Sequence, residues 1–202
     1  MPDMPPTHLL YLHGFRSSPD SFKAQRLLGW LAEHRPDVTA WCPALPPSPA
    51  EAMHLVREGT SGWPADRSAV LGSSLGGFYA AAVSRERGWP AVLMNPAVFP
   101  ARDLAGWVGT VEAFHDPGET FEFRAAFIDE LDALTQPPTR PRLAHPERCF
   151  ALIAQGDELL DWREMAAFCN GAQVRLIEGS DHALSDFDEH LPHLLDFLKL
   201  CD

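Results

Sequence analysis

One serine of this chain stands between two glycines in the pattern Gly-x-Ser-x-Gly, which runs from Gly72 to Gly76. A short apolar run precedes the pattern and an alanine-rich segment follows it, which predicts a tight turn from a strand into a helix. In such a turn the serine hydroxyl stands clear of the sheet, and flanking glycines avoid a collision with crossing backbone. We therefore predict Ser74 as a nucleophile at an elbow flanked by Gly72 and Gly76. The alternative is a glycine-rich turn with packing serines; Ser73 is the weaker candidate nucleophile because glycine does not flank it on both sides.

A serine hydroxyl needs a base to remove its proton, and the chain has nine histidines. His182 follows the last predicted strand on a loop, at the edge of the sheet where Ser74 also leaves its strand. His190 and His193 lie within the last predicted helix, where we expect a solvated face. Their spacing is also that of a metal pair, but no acidic or cysteine partner is placed to complete it. We therefore predict His182 as the base and no metal site.

Acidic side chains follow the fifth predicted strand, which ends in QGDELLD. Asp157 comes directly after the turn glycine and is the first candidate for the carboxylate that orients the His182 ring and stabilises its charged form. Asp161 is the second candidate, with Glu158 nearby. Asp181 adjoins His182, and a neighbour in sequence rarely points its carboxylate at the adjacent ring. We therefore expect Asp181 to be solvated or to form a turn.

The negative oxygen that forms during acyl transfer needs two backbone donors held in place. The amide of Leu75, directly after the candidate nucleophile, is one candidate. The other is the amide of Phe15, in the sequence LHGF after the first predicted strand, where Gly14 permits close backbone approach. We predict an oxyanion hole formed by Phe15 and Leu75, with His13 as a structural brace of that loop.

Short apolar runs alternate with segments of helical period, which is the pattern of βαβ units and a parallel sheet. The predicted strands are residues 7–12, 37–42, 68–72, 91–95, 149–155 and 173–177. The predicted helices between them are residues 22–33, 50–58 and 75–87. A last amphipathic helix carries Phe187, Leu191, Leu194, Leu195 and Leu198 on one face. The carboxyl ends of these strands share one edge of the sheet and carry the candidate residues.

The alternation stops between residues 97 and 148, although connections in α/β units usually have about 2–6 residues. The segment holds one helix-like stretch, residues 124–134, and too few apolar residues for a core of its own. We therefore predict a cap or lid insertion within a single domain that spans residues 1–202. Its aromatic side chains are expected either to line an acyl pocket or to form the core of the cap: Trp107, Phe114, Phe121, Phe123 and Phe127.

The composition is that of a globular domain, with 202 residues, 46% of them hydrophobic and 22% charged. The net charge of −12 argues against nucleic acid or an anionic membrane as the main partner. No apolar stretch approaches the roughly 18 residues needed to span a bilayer, and no secretory signal is visible, so we expect a cytoplasmic protein. The cysteines lack metal-binding spacing and are expected to be free thiols: Cys42, Cys149, Cys169 and Cys201.

Four stretches together resemble the small bacterial YqiA-like esterases of the α/β-hydrolase superfamily. They are LLYLHGFRSSPDSFKA, LGSSLGGFYA, QGDELLDWRE and GSDHAL, and they follow one another from near the N-terminus to near the C-terminus. The order serine, acid, histidine is also the one expected of α/β-hydrolases. The resemblance implies a three-layer αβα fold with a six-stranded, mainly parallel sheet. It also implies hydrolysis of carboxylic ester or thioester bonds without a cofactor, with Ser74, Asp157 and His182 as the triad.

We therefore expect a serine hydrolase that acts on a small-molecule carboxylic ester through an acyl-enzyme. An acyl-CoA thioesterase with the same triad is the nearest alternative. A non-catalytic binding protein on a hydrolase scaffold is the alternative from another class, and it would lack a triad member. The acyl chain length, the leaving group and the oligomeric state stay open at this point.

Overall fold

Six parallel strands form the central sheet of the computed structural model, which describes residues 4–114, 118–137 and 141–201. In chain order the strands are β1 (His8–Leu12), β2 (Thr39–Trp41), β3 (Ser68–Ser73), β4 (Ala91–Met94), β5 (Gly109–Glu112), β6 (Thr120–Phe123), β7 (Cys149–Ala154) and β8 (Gln173–Ile177). The sheet has the order β2-β1-β3-β4-β7-β8, and every neighbouring pair in it is parallel. The predicted six-stranded sheet is confirmed, and it is parallel throughout rather than mainly parallel.

Helices cover both faces of this sheet. They are α1 (Phe22–His34), α2 (Pro49–Gly59), α3 (Leu75–Arg87), α4 (Pro100–Leu104), α5 (Ala125–Leu134), α6 (Trp162–Phe168) and α7 (Phe187–Phe197). Buried side chains of α1 and α7 pack on one face, and those of α2, α3, α5 and α6 pack on the other. The fold therefore has the predicted three-layer αβα arrangement. Among the described residues, no helix combines the length and apolar character needed to cross a membrane.

The alternation of side chains along a strand explains why a strand in the middle of the sheet has an apolar sequence on both faces. In β1, Leu10 and Leu12 join the core on the side of α3, whereas Leu9 and Tyr11 join the core on the side of α1. Because both faces are covered, both sets of side chains are buried, and the strand is a continuous apolar run. This is the pattern that made the inner parallel strands predictable.

The long segment between β4 and β7 contains structure that the sequence pattern did not predict. Helix α4 comes first, and β5 and β6 then pair antiparallel, with Gly109 opposite Phe123 and Val111 opposite Phe121. Helix α5 agrees with the predicted stretch. The buried side chains of this segment, Val111 and Phe123 among them, belong to the same apolar cluster as those of α3. The segment therefore packs on the main core, and its role as a cap stays a prediction.

Candidate active site

The turn between β3 and α3 carries Ser74 in a strained conformation. Its backbone has φ 56° and ψ −120°, a region that residues with a side chain rarely adopt. A Cβ atom on Gly72 would lie 2.0 Å from the carbonyl oxygen of Gly76, and one on Gly76 would lie 2.0 Å from that of Leu12. The glycines are therefore required by close backbone approach. Gly77 has a similar reason, because its Cβ would meet Pro96 Cα at 3.0 Å.

The three predicted triad residues lie in one chain of hydrogen bonds. The Ser74 hydroxyl lies 3.0 Å from His182 Nε2, and His182 Nδ1 lies 2.7 Å from Asp157 Oδ2. Because a carboxylate only accepts, Nδ1 carries the proton and leaves Nε2 free to accept from the serine. The Asp157 side chain is fully buried and that of His182 is 16% exposed. This geometry places a base against the Ser74 hydroxyl and a buried carboxylate behind the base.

The other acidic candidates make different contacts. Asp161 accepts from the Arg163 amide and is the N-cap of α6, so the structure does not bring it to His182. Glu158 accepts from the backbone amide of His182 at 3.0 Å. Asp181 accepts from the amide and hydroxyl of Ser185, as expected for a turn-forming residue. Of these carboxylates, only Asp157 pairs with the imidazole.

The loop after β1 lies directly against Ser74. A Cβ atom on Gly14 would lie 3.2 Å from Ser74 Cβ, so a side chain there would crowd the candidate nucleophile. Phe15 follows it, and within the described chain its amide donates to no other backbone group. The Leu75 amide is at the first position of α3, where an amide has no partner within its own helix. Of the two predicted oxyanion donors, Leu75 is therefore next to Ser74 in the chain, and Phe15 directly follows a residue that lies against Ser74.

His13 holds this loop in place. Its Nε2 accepts from the Leu45 amide at 3.0 Å, and its Nδ1 lies 3.0 Å from the Gly14 carbonyl oxygen. The ring therefore joins the loop after β1 to the loop after β2, and it is buried. These contacts agree with the bracing role predicted for His13.

Asn95 holds the histidine loop, and the sequence pattern did not single it out. Its Nδ2 donates to the carbonyl oxygens of Asp181 and His182, at 3.0 and 3.1 Å, and its Oδ1 accepts from the Ala154 amide at 2.8 Å. The side chain is fully buried and its backbone φ is 42°. A polar residue directly after an apolar strand and before Pro96 is the only signal that the sequence offered.

Comparison with known proteins identifies the family of this chain. The model of the family described as Uncharacterised protein family UPF0227 matches residues 8–199. The chain belongs to this family. A UPF0227 protein of Pectobacterium atrosepticum is 28% identical over 101 residues, which are 50% of this chain and 47% of that protein. The match therefore spans about half the length of that curated relative.

Solved structures similar to this UPF0227 chain share the α/β-hydrolase fold. Est1E from Butyrivibrio proteoclasticus has a TM-score of 0.68 at 14% identity, covering 97% of this chain and 88% of its own. Alpha/beta hydrolase domain-containing protein 10 from mouse has a TM-score of 0.68 at 14% identity, and the match covers 96% of this chain and 90% of the mouse chain. The Pyrococcus furiosus esterase PF2001 has a TM-score of 0.61 at 15% identity, and the match covers 96% of this chain and 81% of the esterase chain. At these identities the likeness shows the fold.

An open cavity of about 1000 Å³ lies beside Ser74 and His182. Its lining is mostly apolar and includes Phe15, Trp107 and Phe114. Trp107 and Phe114 are 43% and 63% exposed. The aromatic residues predicted either for a pocket or for a cap core are therefore divided. Phe121, Phe123 and Phe127 pack in or against the buried core.

Lys23 is a charged group at this cavity that the sequence pattern did not identify. Its ammonium group donates to the Ala183 carbonyl oxygen, next to His182. Burial lowers the pKa of Lys23 from 10.5 to about 8, and the nearby carboxylates of Asp181 and Asp157 act in the opposite direction. Lys23 therefore links the first turn of α1 to the histidine loop.

The prediction of a solvated face for His190 was wrong. His190 is buried, and its Nε2 lies 3.0 Å from Asp186 Oδ2. Asp186 also accepts from the hydroxyl of Ser180. The ring thus helps to fix the start of α7 rather than facing solvent. Within the described ranges, no cluster of three or more His, Cys, Asp or Glu side chains could hold a metal ion, and the four cysteines are free.

Proposed function

We propose that this chain is a serine esterase that hydrolyses carboxylic esters through Ser74, His182 and Asp157. The observation that carries the proposal is the pair of hydrogen bonds from Ser74 Oγ to His182 Nε2 and from His182 Nδ1 to Asp157 Oδ2, 3.0 and 2.7 Å long. An ordinary packing serine needs neither a strained backbone nor an imidazole backed by a buried carboxylate. The three residues together form the arrangement that activates a serine hydroxyl.

In the first half of the reaction, Ser74 Oγ forms a bond to the acyl carbonyl carbon while its proton passes to His182 Nε2. The carbonyl oxygen becomes negative and accepts hydrogen bonds from the amides of Phe15 and Leu75. Asp157 stabilises the positively charged imidazole. The bond to the leaving group then breaks, and the leaving oxygen takes the proton from His182. An acyl-enzyme on Ser74 and a free alcohol result.

In the second half, a water molecule attacks the acyl carbon and gives its proton to His182. The bond between Ser74 Oγ and the acyl carbon breaks, and Oγ takes that proton back. The products are a carboxylic acid and the enzyme in its starting state. No redox step or external cofactor enters this sequence, which uses two substrates, the ester and water.

The cavity is the proposed acyl-binding site, since apolar lining suits an acyl chain. Residues 97–148 supply Trp107 and Phe114 to its wall, which supports their proposed role as a cap. A thioester is the alternative substrate, because the same residues serve a thiol leaving group. The ratio of kcat/KM for an acyl-CoA to kcat/KM for the matched oxygen ester separates the two.

Ser74→Ala tests the proposal directly. Purified wild-type protein and the variant are assayed on 4-nitrophenyl esters of short, medium and long acyl chains. We expect the variant to lose at least about 10³-fold in kcat, as triad losses do in comparable enzymes. A fluorophosphonate probe should label the wild-type protein and not the variant. Ser73→Ala is the matched control and should keep activity within a few-fold.

Near-normal ester hydrolysis by Ser74→Ala would exclude Ser74 as the nucleophile. A wild-type protein that neither turns over any ester nor reacts with the fluorophosphonate would instead favour a binding protein on a hydrolase scaffold.

A further inference from the structure

Arg16 lies at the cavity directly after the proposed oxyanion residue Phe15. Its backbone has φ 62°, which is uncommon for a residue with a side chain. Its carbonyl oxygen accepts from the Phe114 amide at 2.8 Å. The backbone of Arg16 therefore joins the loop after β1 to Phe114, two residues after the end of β5.

The guanidinium group of Arg16 is fixed by three further contacts. Nε donates to the Glu112 carbonyl oxygen at 2.6 Å. The central carbon Cζ lies 4.9 Å from the ring centre of Trp107 and 4.4 Å from that of Phe114, within the range of cation–π attraction. The Nε bond uses one of five N–H donors. The four donors on Nη1 and Nη2 make no hydrogen bond within the described part of the chain.

The other charged groups around the cavity already have partners. Lys23 donates to the Ala183 carbonyl oxygen and lies in the field of Asp181 and Asp157. Asp103 pairs with Arg102, and Glu158 accepts from the His182 amide.

Arg16, in contrast, makes no ion pair with a carboxylate in residues 4–114, 118–137 and 141–201. A positive charge that is fixed in place, exposed to a substrate cavity and without a carboxylate partner in these ranges is suited to bind an anion. The chain as a whole carries a net charge of −12, so an anion would be repelled by most of the surface and needs a local site.

We propose that Arg16 binds an anionic oxygen group of the substrate, a carboxylate or a phosphate, at the mouth of the cavity. This inference rests on the proposed esterase function and narrows its substrate class to esters or thioesters that carry such a group. Paired N–H groups of a guanidinium donate two parallel bonds to a carboxylate or phosphate. Because Arg16 is held in place before binding, little side-chain freedom is lost when the anion arrives.

Two matched substrate pairs test the proposal and separate the sources of the anion. For a carboxylate, mono-4-nitrophenyl glutarate is compared with 4-nitrophenyl pentanoate, which has the same number of acyl carbons and no charge. For a phosphate, pentanoyl-CoA is compared with the neutral thioester S-pentanoyl-N-acetylcysteamine. Each substrate is assayed with wild-type protein, Arg16→Gln and Arg175→Gln. Arg175 is an exposed residue of β8 outside the cavity lining, so its variant has the same net charge as Arg16→Gln.

We expect Arg16→Gln to lower kcat/KM on the anionic member of at least one pair by about 10- to 100-fold, mainly through KM. The neutral members should change by less than about 3-fold, and Arg175→Gln should behave like wild-type protein on all four substrates. The substrate pair whose anionic member loses kcat/KM in Arg16→Gln shows whether Arg16 binds a carboxylate or a phosphate.

Equal losses on neutral and anionic substrates would overturn the proposal, because they would make Arg16 a brace of the Phe15 loop. Unchanged kcat/KM on both pairs would overturn it as well. In either case, hydrolysis of the neutral esters that depends on Ser74 leaves the proposed esterase function standing. If the wild-type protein shows no Ser74-dependent hydrolysis of neutral esters, the proposed esterase function itself is contradicted.

Discussion

Asp157 and Asp161 follow the same strand and are four residues apart, yet their carboxylates bind different partners. Asp157 accepts from His182 Nδ1 through Oδ2 and from the amides of Leu159 and Leu160 through Oδ1. Asp161 caps α6 and interacts with Arg163. A buried carboxylate that accepts three hydrogen bonds is held in one orientation, whereas the Asp161 carboxylate is exposed and bonds to the start of α6. We therefore propose that Asp157, rather than Asp161, orients the imidazole.

The variants Asp157→Asn and Asp161→Asn separate the two candidates. In Asp157→Asn the amide oxygen can still accept from the backbone, so the fold should persist. The amide group would face His182 Nδ1 with a donor and favour the tautomer that cannot accept from Ser74. We expect kcat to fall by about 10³- to 10⁴-fold on a 4-nitrophenyl ester.

Asp161→Asn keeps a capping oxygen, and its kcat should stay within about 3-fold of the wild-type value. Comparable mild losses in both variants would refute the assignment, as would the larger loss in Asp161→Asn. Circular dichroism spectra of the two variants show whether each remains folded.

The sequence allowed Ser74, His182 and Asp157 to be predicted because each has a reactive side chain and a place at a strand end. Asn95 has no reactive group, and its role is to hold backbone carbonyls 86 and 87 positions further along the chain. Such contacts exist only after the sheet has brought β4 beside the histidine loop. His190 escaped prediction for the same reason, since its burial depends on how α7 packs.

At the scale of elements, the turn from β3 to α3 is shaped by the backbone of β1. Gly76 approaches the Leu12 and His13 carbonyl oxygens so closely that a Cβ atom would lie 2.0 and 2.6 Å from them. The Leu12 oxygen belongs to β1, which cannot move without disturbing its pairing with β3, and the His13 oxygen belongs to the residue that follows this strand. The elbow therefore depends on glycine at this position.

Gly76→Ala should destabilise the protein and disturb the site together. We expect the free energy of unfolding to fall by about 3 kcal/mol, the upper part of the range for overpacked positions. Activity on a 4-nitrophenyl ester should fall at least about 10-fold even where the variant is folded. Urea unfolding followed by tryptophan fluorescence gives the first quantity, and initial rates at low temperature give the second.

Gly29→Ala is the matched control for this substitution. Gly29 lies within α1, and a Cβ atom there would meet nothing within 4 Å. Alanine should leave activity unchanged and raise stability by about 0.5–1 kcal/mol, because it restricts the unfolded chain and favours helix. Equal effects of the two substitutions would show that the elbow tolerates a side chain.

The elements with the clearest sequence signal are those buried on two faces or on one helical face. β3 and β7 are buried at every position, so their apolar runs are unmistakable. β5 and β6 have four residues each and mix exposed with buried positions, and neither is long enough to show a period. Packing on the main core stabilises the pairing of β5 with β6, and this packing cannot be inferred from the sequence of the two strands alone.

At the scale of the whole molecule, the candidate site lies where the two helical layers meet the same edge of the sheet. The cavity lining combines Tyr11 and Lys23, on the side of α1, with Leu104 and Trp107 from the segment on the opposite side. Lys23 is the charged group that α1 contributes here. Its ammonium group donates to the Ala183 carbonyl oxygen and so joins the first turn of α1 to the histidine loop.

The burial of Lys23 makes the stability of the whole fold depend on pH. Burial lowers its folded-state pKa from 10.5 to about 8, so between these pH values the unfolded chain binds a proton that the folded chain has released. In that window the Lys23 contribution to the free energy of unfolding rises with pH. Below about pH 8 both states are protonated, and the contribution is constant at its least favourable value.

Lys23→Met removes this titration while keeping an unbranched side chain. We expect the free energy of unfolding of wild-type protein, minus that of the variant, to increase by about 2 kcal/mol between pH 7.5 and pH 10. Burial also raises the pKa of the Cys42 thiol to about 12 and that of Cys149 to about 11, which lowers stability as the pH rises. Because both proteins contain these thiols, their contribution cancels in the difference. Urea unfolding of both proteins at four pH values measures this difference in the free energy of unfolding. A difference that stays constant or decreases as the pH rises would contradict a lowered Lys23 pKa.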